Sequence, residues 1–80
     1  MRPEDLHADL RRRPFVPFQL RLTDGATYAV HHRELMMIGT RTVEIGISSE
    51  RYAEPTFQRV VSVSLLHIVE IETLPQADAG

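Results

Sequence analysis

The stretch Phe18-Gln19-Leu20-Arg21-Leu22-Thr23-Asp24-Gly25-Ala26-Thr27-Tyr28-Ala29-Val30 decides the fold. Asp24-Gly25 between two alternating runs is a strong short-range hairpin signal. A two-residue loop would set Tyr28 opposite Arg21 and Val30 opposite Gln19, wasting both apolar faces. A three-residue loop, Thr23-Asp24-Gly25, instead pairs Leu22 with Ala26, Leu20 with Tyr28 and Phe18 with Val30. All six then share one face, and Gly25 takes the left-handed position of a bulge, where it has no Cβ to clash. Because a slip of one residue would turn the whole set into water, the three-residue loop is expected.

Upstream, Pro3 to Arg13 reads as a short helix. Pro3 suits a first turn, where its missing N–H is not needed. Glu4 and Asp5 complement the positive end of the dipole and Arg11, Arg12 and Arg13 the negative end. Leu6 and Leu10 form a narrow apolar stripe, and a helix this short must dock to persist. Pro14 ends it. Pro14-Phe15-Val16-Pro17 is extended and withholds two N–H groups from any ladder, so it belongs at a sheet edge or bulge. Phe15 and Phe18 are expected core anchors.

Downstream, His31-His32-Arg33-Glu34 reads as a bend and Leu35-Met36-Met37-Ile38 as a third strand. Thr42 to Ile47 is a fourth, with Val43, Ile45 and Ile47 inward. A turn centred on Gly39-Thr40-Arg41 sets Met37 opposite Val43 and Leu35 opposite Ile45, leaving Met36 and Ile38 outward. Ser48 to Thr56 is a long polar loop. Phe57 to Ser64 is a fifth strand, with Val61 and Val63 inward. Leu65-Leu66-His67-Ile68 is consistent with one 3₁₀ turn, and Val69 to Thr73 with a last strand that turns Val69 and Ile71 inward and Glu70 and Glu72 outward. The expected architecture is mainly β with one N-terminal helix (about residues 3–13) and five or six short antiparallel strands (about 15–73). Strands this short shed their edges by curling into a small SH3-like or Sm-like barrel. Residues 1–74 form one domain and 75–80 a flexible tail.

Composition narrows the function. Eighty residues without cysteine exclude disulfides, thiolate chemistry and Cys-based zinc sites. Domains of this size draw only ~3–5 kcal/mol from a single core, which makes self-association the remaining staple. A net charge of −2 provides no global field for nucleic acid or an anionic membrane. No apolar run approaches the length of a membrane span, and the first residues lack the apolar core of a signal peptide, so a cytoplasmic protein without membrane contact is expected.

Pro14-Phe15-Val16-Pro17-Phe18, Leu22-Thr23-Asp24-Gly25, His31 to Glu34, and Val61 to Ile68 with Ile71-Glu72 resemble a family of short uncharacterised bacterial proteins abundant in planctomycete-type genomes. That family shares the order of N-terminal helix, Asp-Gly hairpin and Leu-Leu-His-Ile segment, and implies no established activity. The order of elements also resembles the Sm/LSm superfamily, whose members form rings and bind RNA at the rim. The Tyr-Lys-His segment of the bacterial Sm-like RNA chaperone has no counterpart in Leu65-Leu66-His67.

No catalytic or ligand-binding signature stands out. On one strand His31 and His32 point to opposite faces, so they do not share a metal ion without a bend, and no metal or other cofactor is expected. Ser64, His67 and Glu70 can be written as a triad, but no nucleophile elbow or oxyanion-hole glycines accompany them, and an enzyme is not expected. Two functions remain. The leading one is a non-enzymatic assembly or protein-interaction module, self-associating through outward Met36 and Ile38 or docking a protein partner. The alternative is a nucleic-acid binder using Arg11, Arg12 and Arg13, which is disfavoured because no aromatic stacking platform lies near them other than Phe15.

Overall fold

The computed structural model describes residues 1–75. The chain runs as helix α1 (Pro3–Leu10), strands β1 (Phe18–Leu22) and β2 (Thr27–Val30), a 3₁₀ turn (Arg33–Leu35), β3 (Met36–Ile38), β4 (Thr42–Ser48), β5 (Phe57–Ser64), a second 3₁₀ turn (Leu65–His67) and β6 (Ile68–Thr73). The strands form two antiparallel sheets of three, ordered β2-β1-β6 and β3-β4-β5. The chain crosses between the sheets twice, once at each 3₁₀ turn, and the two ladders do not join into a closed barrel. Of the expected tail, all but Pro75 lies outside the described residues.

The organising hairpin has the expected register. Phe18 stands opposite Val30 and Leu20 opposite Tyr28, and the Leu22 N–H donates to the Ala26 carbonyl at 2.8 Å to close the ladder. Gly25 has φ 88°, and Asp24 Oδ1 accepts the Ala26 N–H at 2.9 Å, holding the turn from within. A Cβ on Gly25 would meet nothing within 4 Å, so any penalty there is purely backbone. Gly25→Val should therefore lower stability by roughly 1–3 kcal/mol, because a β-branched residue resists positive φ. Urea unfolding checks this, and a wild-type midpoint would show that the loop re-forms in another conformation.

The core is one cluster: Leu6 from the helix, Phe18, Leu20 and Val30 from the first hairpin, Met36, Val43, Ile45 and Val63 from the second sheet, and Leu65 and Ile68 around the second 3₁₀ turn. The helix docks Leu6 into it and leans Leu10 against it. It ends at Leu10 rather than at Arg13, and Arg11, as its C-cap, donates its N–H to the His7 carbonyl at 2.9 Å. The extended segment before Phe18 joins no ladder, but the Pro17 carbonyl accepts the Leu74 N–H at 2.9 Å.

Three strand expectations are corrected. In the second hairpin the turn is one residue shorter than expected. The Gly39 N–H donates to the Thr42 carbonyl at 2.8 Å, leaving Thr40-Arg41 as the loop and pairing Ile38 with Val43 and Met36 with Ile45. This shift inverts the strand, so Met36 is buried, Ile38 packs against the core and Met37 is 71% exposed. Leu35 leaves the strand for the 3₁₀ turn and covers Gly46 from outside. Finally, a register shift opposite Arg21/Leu22 makes Val69 the extra residue of β6, exposed at 57%, and Ile68 takes the inward place.

Candidate functional site

Three surfaces carry side chains that the fold does not use up. The first is the outward face of the sheet β2-β1-β6. Arg21 Nε donates to Glu70 Oε1 at 3.3 Å and Arg21 Nη2 pairs with Glu72 Oε1, while Gln19 Nε2 donates to Glu72 Oε2 at 3.2 Å. These are half-exposed groups satisfied among themselves. Hydrogen bonding from Glu70, then from Arg21 and Gln19, holds the Glu72 carboxyl at about 2, down from an ordinary 4.5. A carboxyl depressed in the folded state adds stability that is complete above its unfolded value and fades as pH falls towards the folded one. The contribution of Glu72 should thus be full above about 4.5 and be lost between 4.5 and about 2. A carboxyl-detected NMR titration reads this directly, and a Glu72 midpoint near 4.5 would show that the network does not persist in solution.

The second surface lies at the end of α1. Arg33 Nε donates to the Leu10 carbonyl at 2.6 Å and Arg33 Nη2 to the Arg12 carbonyl at 2.8 Å. Its guanidinium carbon sits 5.4 Å from the centroid of the Phe15 ring. Arg33 therefore closes the helix end, satisfying carbonyls left without intrahelical partners. The run Arg11, Arg12 and Arg13 is released from that task and lies exposed. Arg12 approaches Asp9 only at 3.9 Å. Among the described residues, Arg11 and Arg13 pair with no carboxylate; together with Arg33, Leu10 and Met36 they line one shallow hollow. The sequence pointed to the arginine run but not to Arg33.

The third surface is the outward face of β3-β4-β5. Met37, Phe57 and Val60 are 71%, 56% and 51% exposed. They surround a depression floored by Gly46, with Leu35, Glu34 and Glu44 on its sides. A Cβ on Gly46 would lie 3.0 Å from Phe57 Cβ and 3.3 Å from Leu35 Cδ2, so the dip exists because no side chain occupies that place. Phe57 reaches this face through a register shift opposite Ile47/Ser48, which makes Gln58 an extra residue and reverses the direction of Phe57. Met36 and Ile38, expected outward for self-association, are instead in or against the core. Met37 holds the outward position on that strand.

The residues that can be written as a triad go to separate partners. Ser64 Oγ accepts the Leu66 N–H at 3.3 Å as the cap of the 3₁₀ turn, His67 Nδ1 lies 3.4 Å from Thr23 Oγ1, and Glu70 takes Arg21. No group of three or more His, Asp or Glu side chains able to hold a metal ion occurs among the described residues. Nor is any helix among them long and apolar enough to cross a membrane.

Fold and surfaces together define a small mainly-β domain of two antiparallel sheets with one N-terminal helix. Comparison with protein-family models, with curated proteins and with solved structures finds no match to this chain.

Proposed function

We propose that the chain is a non-enzymatic assembly or protein-interaction module of small-barrel type, SH3-like or Sm-like, that associates with itself. The barrel reading draws on the chain's two crossings between sheets and on the 3₁₀ turn before the last strand. The functional reading is carried by the exposed apolar face of Met37, Phe57 and Val60 around Gly46. Surface hydrophobics scattered singly need no explanation, but a contiguous set with a depression at its centre supports a contact surface. A small cysteine-free core points the same way. Solution mass with melting measured across protein concentration tests the reading. A mass above the monomer and a melting temperature that rises with concentration are expected, and Val60→Lys should lower both. A monomer with concentration-independent melting ends the reading.

A second reading, binding of RNA or DNA phosphates, rests on Arg11, Arg12 and Arg13 at the helix end, with Arg11 and Arg13 free of carboxylates among the described residues. Retention of a short oligonucleotide that weakens steeply with salt would favour it. No retention in low salt would remove it.

A further inference from the structure

A sheet's two edges present unpaired backbone N–H and C=O groups, and proteins ordinarily defend them with short strands, bulges or charge. The two sheets here have four edge strands: β2, β6, β3 and β5. β2 is four residues long and β3 three. β6 carries the bulge at Val69 and the two carboxylates Glu70 and Glu72. β5 has eight residues, Phe57-Gln58-Arg59-Val60-Val61-Ser62-Val63-Ser64, with no proline and a single charge. Its first four residues and Ser62 are exposed. Its own bulge, at Gln58, sits near its start, so the regular stretch from Arg59 to Ser64 is the longest unbroken edge and the least defended.

Which backbone groups face that edge follows from the hydrogen bonds. The Leu65 N–H donates to the Arg41 carbonyl at 2.9 Å, towards β4. Pairing direction alternates along an antiparallel strand, so Val63 and Val61 also address β4, while Ser64, Ser62 and Val60 address the open side. The Gly39–Thr42 bond on the far side of β4 demands the same phase.

We infer that β5 pairs antiparallel with β5 of a second copy of this chain, centred on Val60, to make one continuous six-stranded sheet. This inference rests on the self-association reading and names its contact. Self-pairing about a two-fold axis normal to the sheet requires each residue to face one of the same parity. Centring on Val60 sets Val60 against Val60, Arg59 against Val61 and Ser62 against the bulged Gln58. The two Arg59 side chains then never oppose each other, whereas centring on Arg59 would stack them. At the other end, Ser62 and Ser64 border a groove whose far wall is Leu22, Thr23, Asp24 and Tyr28, so a register centred further along would drive the partner into the first hairpin. The chosen register also brings the two apolar faces together along the axis, Val60 to Val60 with each Phe57 nearby. A head-to-tail pairing of β5 with β6 would set a second bulge, at Val69, and the two glutamates against this edge.

Ser62→Pro tests the contact, because proline removes an N–H that faces the open edge and none that binds β4. Ser62→Ala is its control, since it removes the hydroxyl that donates to Glu44 but keeps the N–H. Wild type and Ser62→Ala should form a dimer, and Ser62→Pro should dissociate at concentrations at least about tenfold higher than wild type, one lost bond on each side of the axis. Amide exchange gives an independent readout should the proline variant not fold. The Val60 and Ser62 N–H groups should be protected in the concentrated wild-type protein and become exposed on dilution. A wild-type dimer that Met37→Lys separates but Ser62→Pro does not, or whose Val60 and Ser62 amides exchange freely, overturns edge pairing while leaving self-association standing. A closed ring of three or more copies overturns the two-fold pairing. A monomer at all concentrations overturns both.

Discussion

Replacing Phe18 with alanine is expected to leave the chain largely unfolded at room temperature. Phe18 is 1% exposed and opens the central strand of its sheet. It stands between Val30 on one side and Thr73 on the other, and its ring centroid lies 6.0 Å from that of Phe15, tilted by 59°. Truncating a buried phenylalanine costs about 3–5 kcal/mol, part lost transfer energy and part residual cavity. A single core of this size supplies only ~3–5 kcal/mol in total. The two magnitudes meet, so the expected result is loss of the folded state rather than a lowered melting point. Phe18→Leu retains most of the volume and should stay folded, with a cost of about 1–1.5 kcal/mol. Far-ultraviolet circular dichroism at high dilution checks both, because self-association at higher concentration would mask part of the loss. An alanine variant melting within a few degrees of wild type would show that the cluster closes over the gap.

That Phe18 is the residue to remove was legible from the sequence, and the reason is local. Asp24-Gly25 fixes a turn, and one choice of loop length alone puts Phe18, Leu20, Leu22, Ala26, Tyr28 and Val30 on one side. The second hairpin had no such constraint. Leu35-Met36-Met37-Ile38 is apolar throughout, so its composition does not distinguish the face of Met36 from that of Met37. Gly39 invited a turn centred near it, whereas the structure uses it to flank a two-residue loop. A shift of one then exchanged buried Met36 for exposed Met37. The bulges at Gln58 and Val69 were hidden for a related reason: each is an extra residue, visible only against its partner strand. They explain why Phe57 lies outside and Ile68 inside, and so why the apolar face was not assembled from the sequence. Val61 and Val63 were placed correctly because they lie beyond the first bulge.

Removing the Arg33 guanidinium is expected to loosen α1 without disturbing the sheets. Arg33→Met keeps the length and apolar character of the stem but supplies no donor to the Leu10 and Arg12 carbonyls. Hydrogen bonds from a charged donor contribute about 1.5–3 kcal/mol each, and water partly replaces them here because the side chain is only half-buried. A total near 2–3 kcal/mol follows, or roughly 10–20 °C in melting temperature for a domain of this length. Amide exchange in Pro3–Leu10 should quicken most, since that helix is too short to stand without docking. Arg33→Lys discriminates between charge and geometry. It restores a cation near the helix end but cannot fork across two carbonyls or lie flat over Phe15, so it should recover only a minor part of the loss. Full rescue by lysine would mean that the contact is a simple dipole effect. Unchanged exchange in the methionine variant would mean that Leu6 alone holds the helix. The same pair of variants informs the arginine surface, since Arg33 is the only cation of the hollow fixed by backbone contacts. If phosphate were recognised there, Arg33→Met would weaken binding along with helix docking, whereas substitutions at exposed Arg11 and Arg13 would weaken binding alone.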